Sequence, residues 1–250
     1  MPIDLVCCDI DGCLTPERPV AIDRASLDRI AARNQRIADG APGAFVTLCS
    51  GRPQPFAELL CRWLANVSVP CIAENGVWLY HPGTNTYEMD PAISAGDLRA
   101  VRELEDWLRA TYAVRSDKGA AIQPGKSASI SLYTHDHEWL VQVRDEVAAE
   151  VERRGLPLRI SMTWYYLNCD LRHVSKATGV RRLAQRAERT RERMAGIGDT
   201  LGDLGIAEQV AWFACPGNAD ARLLAHAHYI SPHHEAAGVA DILDRLDRGG

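Results

Sequence analysis

The sequence predicts an α/β protein: a doubly wound parallel sheet carrying a smaller inserted α+β module. Three observations predict it. Short apolar runs of strand length alternate with helix-length amphipathic segments at both ends of the chain, as crossover-connected parallel strands require. In the middle, that grammar gives way to a helix followed by paired strands, twice over. Polar clusters also follow directly on the predicted parallel strands, at the sheet edge where open α/β folds bind ligands. The core is expected over residues 1–76 and 171–250, and the insert over 77–170.

Leu5 to Cys8 is an apolar run suited to a strand buried on both faces, and it breaks into Asp9-Ile10-Asp11-Gly12. Asp23 to Asp39 reads as a helix, with Asp23 as N-cap, Ile22 and Leu27 as a staple, and Leu27, Ile30, Ala31 and Ile37 as its apolar stripe. Ala44 to Cys49 is a second strand, closing on Ser50-Gly51-Arg52-Pro53. Pro53 and Pro55 start a helix through Leu64, with Phe56, Leu59, Leu60 and Trp63 expected to face inward. Pro70 to Ala73 is a third strand, ending in Glu74-Asn75-Gly76.

The insert is expected to open with a hairpin, Val77 to Tyr80 and Thr86 to Met89 around His81-Pro82-Gly83-Thr84-Asn85. A helix at Asp97 to Tyr112, a strand at Ser129 to Tyr133 and a helix at Glu138 to Arg154 follow, then strands at Leu158 to Met162 and Tyr165 to Cys169. The parallel grammar returns with a helix at Lys176 to Arg189 and a strand at Met194 to Gly198, which runs into Gly198-Asp199-Thr200-Leu201-Gly202-Asp203. A strand at Val210 to Cys215 leads to Pro216-Gly217-Asn218, and a short strand and a helix from Ala236 to Leu246 close the fold.

The totals narrow the function classes. Hydrophobic content of 46% and charged content of 24% suit a soluble globular protein. No apolar run approaches the ~20 residues of a membrane span. The N-terminus lacks the basic region of a signal peptide. The eight cysteines form no C-x-x-C pair and several lie in strand-like runs, which points to buried, reduced thiols and a cytoplasmic protein. A net charge of -5 without a basic block argues against nucleic acid as a partner. Oligomeric state is not legible. Lysine is rare, with Lys118, Lys126 and Lys176 against 28 basic residues in all.

Asp9 and Asp11 fall at the end of the first strand, and Gly12 lets the chain turn at once. Like charges that close call for a cation, and an all-oxygen site favours Mg²⁺; an Asp-Gly turn with a spare aspartate is the plainer alternative. Ser50, Lys176 and the pair Asp199 and Asp203, with Asn218 on the neighbouring strand, fall at the same sheet edge. Carboxylates, one hydroxyl and one lysine together make a set for phosphate and Mg²⁺ chemistry.

In order and spacing these motifs, Asp9-Ile10-Asp11-Gly12-Cys13-Leu14-Thr15, Ser50-Gly51-Arg52-Pro53, Ser175-Lys176-Ala177-Thr178-Gly179-Val180 and Gly198-Asp199-Thr200-Leu201-Gly202-Asp203, resemble the haloacid dehalogenase-like phosphohydrolase superfamily. The Glu74-Asn75-Gly76 and Gly217-Asn218-Ala219 turns are similar to those of its branch with an α+β cap, which holds phosphoglycolate, sugar-phosphate and mannosyl-phosphoglycerate phosphatases. The resemblance implies a Mg²⁺-dependent phosphatase of a small phosphorylated metabolite, with a cap that excludes bulky substrates. It implies Asp9 as nucleophile through an aspartyl-phosphate, Asp11 as acid and base, and Ser50 and Lys176 on the phosphate. Mg²⁺ would sit on Asp9, the Asp11 carbonyl and Asp199, with Asp203 close by. Gly12, Gly51, Arg52 and Asn218 are the expected substrate-side residues. One departure stands out: Gly202 occupies a position where the branch commonly has asparagine. A phosphotransferase or mutase on the same scaffold, or a non-catalytic metabolite-binding protein, are the alternatives.

Other residues have plainer readings. Arg52 serves a structural ion pair as readily as a substrate, and Asn75 and Asn218 can each satisfy a turn. Arg115, Lys118, Lys126 and His135 read as solvated surface of the insert, Trp164-Tyr165-Tyr166 as its core, and His233-His234 as surface.

Overall fold

The computed structural model describes residues 2–113 and 119–248, so Arg115 and Lys118 lie outside the described residues. In chain order its elements are β1 (Leu5–Cys8), α1 (Arg24–Ala38), β2 (Phe45–Leu48), α2 (Gln54–Trp63), β3 (Cys71–Ala73), β4 (Trp78–His81) and β5 (Thr86–Met89). Then come α3 (Ala95–Leu108), β6 (Ala121–Ile122), β7 (Ser129–Tyr133), α4 (His137–Arg154), β8 (Leu158–Met162) and β9 (Tyr166–Leu171). The chain closes with α5 (Lys176–Arg186), β10 (Met194–Ile197), α6 (Leu204–Ala207), β11 (Trp212–Cys215), α7 (Ala221–Leu224), β12 (Tyr229–Ile230) and α8 (Glu235–Asp247). Two compact units result, Met1–Glu88 with Lys176–Gly250, and Met89–Ser175.

The first unit is built on a parallel sheet in the order β12-β11-β10-β1-β2, with β1 at the point where the chain order reverses. Strand periodicity sends Val6 and Cys8 to one face, against Leu27 and Ile30 of α1 and Val239, Ile242 and Leu243 of α8. Leu5 and Cys7 point to the other face, against Val180 and Leu183 of α5 and Ile206 of α6. Burial on both faces is why β1 reads as an unbroken apolar run, and helices on both faces are the doubly wound arrangement the sequence predicts. All eight cysteines are buried and free.

The hairpin β4–β5 packs with the first unit, although the sequence reading puts it in the insert. β4 pairs antiparallel with β3, Cys71 against Tyr80 and Ala73 against Trp78, and buries Leu79 and Tyr80 in the two core clusters. That pairing also takes β3 out of the parallel sheet, to which it is joined by a single bridge between Cys49 and Ile72.

Helix α2 buries Leu60 as expected but turns the other three expected residues outward. Ala57, Leu60, Cys61 and Leu64 are buried, while Phe56, Leu59 and Trp63 are 38%, 65% and 44% exposed. Both sets have helical spacing, so periodicity alone does not choose between them. Helix α1 is capped by Asp23 as expected and buries Leu27 and Ile30, but Arg33 and Asn34 complete its inner face. Asn34 accepts from the Val46 amide and donates to the Val46 and Leu64 carbonyls, and Arg33 binds Asp247 and the Ala44 carbonyl. Buried polar groups supplied with partners, backbone for Asn34 and backbone plus a carboxylate for Arg33, are tolerated in a core. Ile22 stays exposed, so the expected staple does not form.

The second unit carries an antiparallel sheet, β6-β7-β9-β8. Ile130, Leu132, Leu167, Cys169 and Leu158 alternate with polar residues along its strands, and the apolar partners Leu104, Leu108, Leu140, Val143 and Val147 come from α3 and α4. Ser94 and Asp97 form a reciprocal cap on α3, and left-handed Gly155 ends α4. Trp164 does not join this core: it is 68% exposed and lies against the His137 ring.

Candidate active site

Because β1, β2, β10 and β11 are parallel and adjacent, the residues that leave their C-terminal ends meet on one edge of the sheet. Asp9, Ser50, Asp199 and Asn218 stand at those four ends, and Lys176 opens α5. Asp9, Lys176, Asp199 and Asp203 are buried, and the Asp11 side chain is 26% exposed.

Lys176 is the central cation. Its Nζ lies 2.8 Å from Asp9 Oδ2 and 2.6 Å from Asp203 Oδ1. Burial pulls its pKa down, but Asp203 and Asp9 outweigh that and hold it well above the usual lysine value. The other Asp9 oxygen accepts from the Ile10 amide at 2.7 Å, so the carboxylate plane is fixed on both sides. Burial first, and then Asp203 and Asp11, push Asp9 up to about 7 against the opposing pull of Lys176.

The loop after β10 is organised around Asp203. Its Oδ2 accepts the amides of Asp199 and Thr200, both at 3.0 Å, and Thr200 caps the turn in return. With Oδ1 on Lys176, both Asp203 oxygens are engaged. Asp199 differs: among the described residues its carboxylate accepts only a long contact, 3.9 Å, from the Cys13 thiol. Burial and the neighbouring Asp203 and Asp9 charges raise it to about 9. Oxygens of Asp9, Asp199 and Asp203 lie within 4.8 Å of one another, a separation one cation can bridge.

Gly12 is required by this geometry. Its φ is +74°, and an ideal Cβ there would stand 1.9 Å from Asp199 Oδ2. Its carbonyl accepts from Asn218 Nδ2 at 2.8 Å, while Asn218 Oδ1 accepts from the Glu235 amide at 2.7 Å. Asn218 thus ties the β1 turn to the start of α8, rather than turning its amide to a ligand. Gly51 lies against the Asn75 side chain, whose Oδ1 would stand 3.0 Å from an ideal Cβ. The Glu74 and Asn75 amides bond to the Arg52 and Ser50 carbonyls, both at 2.9 Å. Ser50 Oγ accepts the Arg52 amide at 3.2 Å and keeps its own O–H to donate. Arg52 turns its guanidinium to Asp11, Nε to Oδ2 at 2.7 Å and Nη2 to Oδ1 at 2.5 Å.

Sequence reasoning named the charged residues and missed two supports. The Thr200–Asp203 cap carries a legible Thr-x-x-Asp signal. Cys13 and its contact with Asp199 carry none. Gly202 lies in ordinary backbone, with only Thr200 Oγ1, 3.4 Å away, near an ideal Cβ.

The model of the haloacid dehalogenase-like hydrolase family matches residues 112–243. The phosphoglycolate phosphatase of Metallosphaera sedula is 28% identical, over 98% of this chain and 99% of that protein. Phosphoglycolate phosphatase 1 of Saccharolobus solfataricus is 27% identical, over 99% and 97%. The crystal structure of Thermoplasma acidophilum 0175 superposes with a TM-score of 0.74 at 20% identity, covering 99% of both chains, and so shares the fold. Among the described residues, no helix is long and apolar enough to cross a membrane.

Proposed function

The chain belongs to the haloacid dehalogenase-like hydrolases and is a phosphatase, and on that premise we propose that it is Mg²⁺-dependent and hydrolyses a small phosphomonoester through Asp9. The observation that carries this reading is Lys176 bridging Asp9 and Asp203, with oxygens of Asp9, Asp199 and Asp203 all within 4.8 Å of one another. Relatives named phosphoglycolate phosphatase make 2-phosphoglycolate the first substrate to try. The inserted unit is the cap domain in this reading, and the protein works in the cytoplasm.

The donor set suits a divalent cation. Three carboxylates face one lysine, and Asp199 is buried without a strong donor of its own. Asp9, Asp199 and the Asp11 carbonyl would hold Mg²⁺, with Asp203 behind them; when bound, it offsets the charge of phosphate and carboxylates.

Asp9, its plane fixed by Lys176 and the Ile10 amide, attacks phosphorus, and the bond to the leaving oxygen breaks. Asp11 gives that oxygen its proton. A water then attacks the aspartyl-phosphate, Asp11 takes the water's proton, and Asp9 is restored. Lys176 balances charge on Asp9 and the phosphoryl oxygens, and the Ser50 O–H donates to one of them. Gly12 and Gly51 leave room for Asp199 and Asn75 beside the two turns, and Asn218 holds Gly12 in place.

The test is phosphate release from 2-phosphoglycolate and a panel of sugar phosphates, with Mg²⁺ or with EDTA, beside Asp9→Asn. Release that needs both Mg²⁺ and Asp9 is expected. Release that survives EDTA or Asp9→Asn would reject the reading.

A further inference from the structure

The two aspartates of the first motif each have a cation of their own. Lys176 binds Asp9, and the Arg52 fork binds Asp11 through two nearly parallel contacts. Arg52 is itself braced. Its amide donates to Ser50 Oγ, its carbonyl accepts from Glu74, and its guanidinium carbon lies 4.9 Å from the centre of the Phe56 ring. Phe56 is one of the aromatics that helix periodicity assigns to the core and the structure leaves 38% exposed. A planar guanidinium stacked on an aromatic face and forked onto a carboxylate fixes that carboxylate in direction as well as distance.

We infer that Arg52, braced on Phe56, is a positioning residue that aims Asp11 at the leaving oxygen and at the attacking water. The inference rests on the phosphatase reading above. Arg52 keeps its proton throughout. The proton that moves is the one Asp11 gives to the leaving oxygen as the P–O bond breaks, and later regains from water as the Asp9–phosphate bond is cleaved. Each Asp11 oxygen that accepts from Arg52 retains a second lone pair for that proton. Arg52 is thus assigned to the acid–base residue and not to the phosphate.

A positioning role separates substrates by leaving group. p-Nitrophenolate departs without a proton, so in Arg52→Ala or Arg52→Lys the first step on p-nitrophenyl phosphate stays fast while hydrolysis of the aspartyl-phosphate slows. Stopped-flow should then show a burst of about one p-nitrophenol per site, absent in the wild type. On an alkyl phosphomonoester kcat should fall about 10²-fold with KM nearly unchanged. Lysine should restore little, because it cannot fork. Phe56→Ala should give the same pattern in milder form and add nothing on top of Arg52→Ala. A rise in KM with kcat preserved would overturn the inference by making Arg52 a substrate ligand. So would equal losses on both substrates without a burst. A readout free of turnover is the Arg52 Nε–H resonance, expected to be slow to exchange in the wild type and fast in Asp11→Ala; fast exchange in both would also overturn it. Wild-type protein silent on every phosphomonoester would instead remove the phosphatase reading, with the resonance still reporting on the pair.

Discussion

The turn after β1 and the turn after β10 both carry two aspartates to the same sheet edge, yet they balance charge in different ways. The β10 turn is closed largely on itself: one Asp203 oxygen collects the amides of Asp199 and Thr200, four and three residues back along its own loop, and the other binds Lys176. The β1 turn imports its partners, Lys176 for Asp9 from α5 and Arg52 for Asp11 from the turn after β2. The difference teaches what each loop is for. A carboxylate oxygen satisfied by local backbone braces its own loop, and one held by side chains from distant elements ties separate elements together at the site.

The largest effect should come from breaking the closed loop. Asp203→Ala removes a buried partner of Lys176 and leaves the amides of buried Asp199 and half-buried Thr200 without their acceptor, and should lower unfolding free energy by about 3 kcal/mol in urea titrations. Asp9→Asn should leave stability nearly intact while abolishing turnover. Equal destabilisation by both would erase the contrast between the two turns.

Next in size is the contact where the turns meet. Gly12→Ala sets a methyl against Asp199 at a left-handed φ, so Asp199 must move. Activity should fall at least about 10²-fold, as misplacement of a reacting group does, and Mg²⁺ should raise Tm less than in the wild type.

The pH dependence of the metal-free protein is a third test. The pKa of Asp9 is raised from 3.8 to about 7 and that of Asp199 from 3.8 to about 9. The folded state therefore holds protons that the unfolded chain has already released, and stability falls as pH rises from about 4 to about 9. Lys176, raised above 10.5, loses nothing in that window. Tm in EDTA should drop between pH 5 and pH 9, and Mg²⁺ should restore most at the alkaline end. A flat profile would mean that the carboxylates do not share one buried site.

The smallest effect concerns Gly202. The backbone is ordinary and the neighbouring space open, so Gly202→Asn should fold normally and tighten Mg²⁺ binding by a few-fold in a calorimetric titration. A weaker site would show that the β10 turn has no room for another polar group.

The candidate site was legible in the sequence because its charged residues are written at strand ends. Asp9, Asp11, Ser50, Lys176, Asp199 and Asp203 follow apolar runs or open a helix, and a parallel sheet brings such positions to one edge. Less visible was what each polar group does. Asn218 acts on backbone, as its turn chemistry allows, and Arg52 faces Asp11; only neighbours distant in sequence decide such matters. The fold's grammar was likewise readable, but α2 carries two helical stripes of apolar residues, and Arg33 and Asn34 look like surface until Val46, Leu64 and Asp247 surround them. The hairpin β4–β5 reads as a hairpin in any context. Its allegiance to the first unit comes from pairing with β3.

By itself the sequence determined a doubly wound core with an insert, the charged constellation at the sheet edge and the family it resembles, because periodicity and motif spacing are local properties of the chain. Tertiary structure decided which face of α2 is buried, that Asp203 serves Lys176 and its own loop, and that Arg52 belongs to Asp11. Each of those outcomes depends on which groups share a buried volume, and burial makes an unpaired charge or amide expensive enough to select its partner.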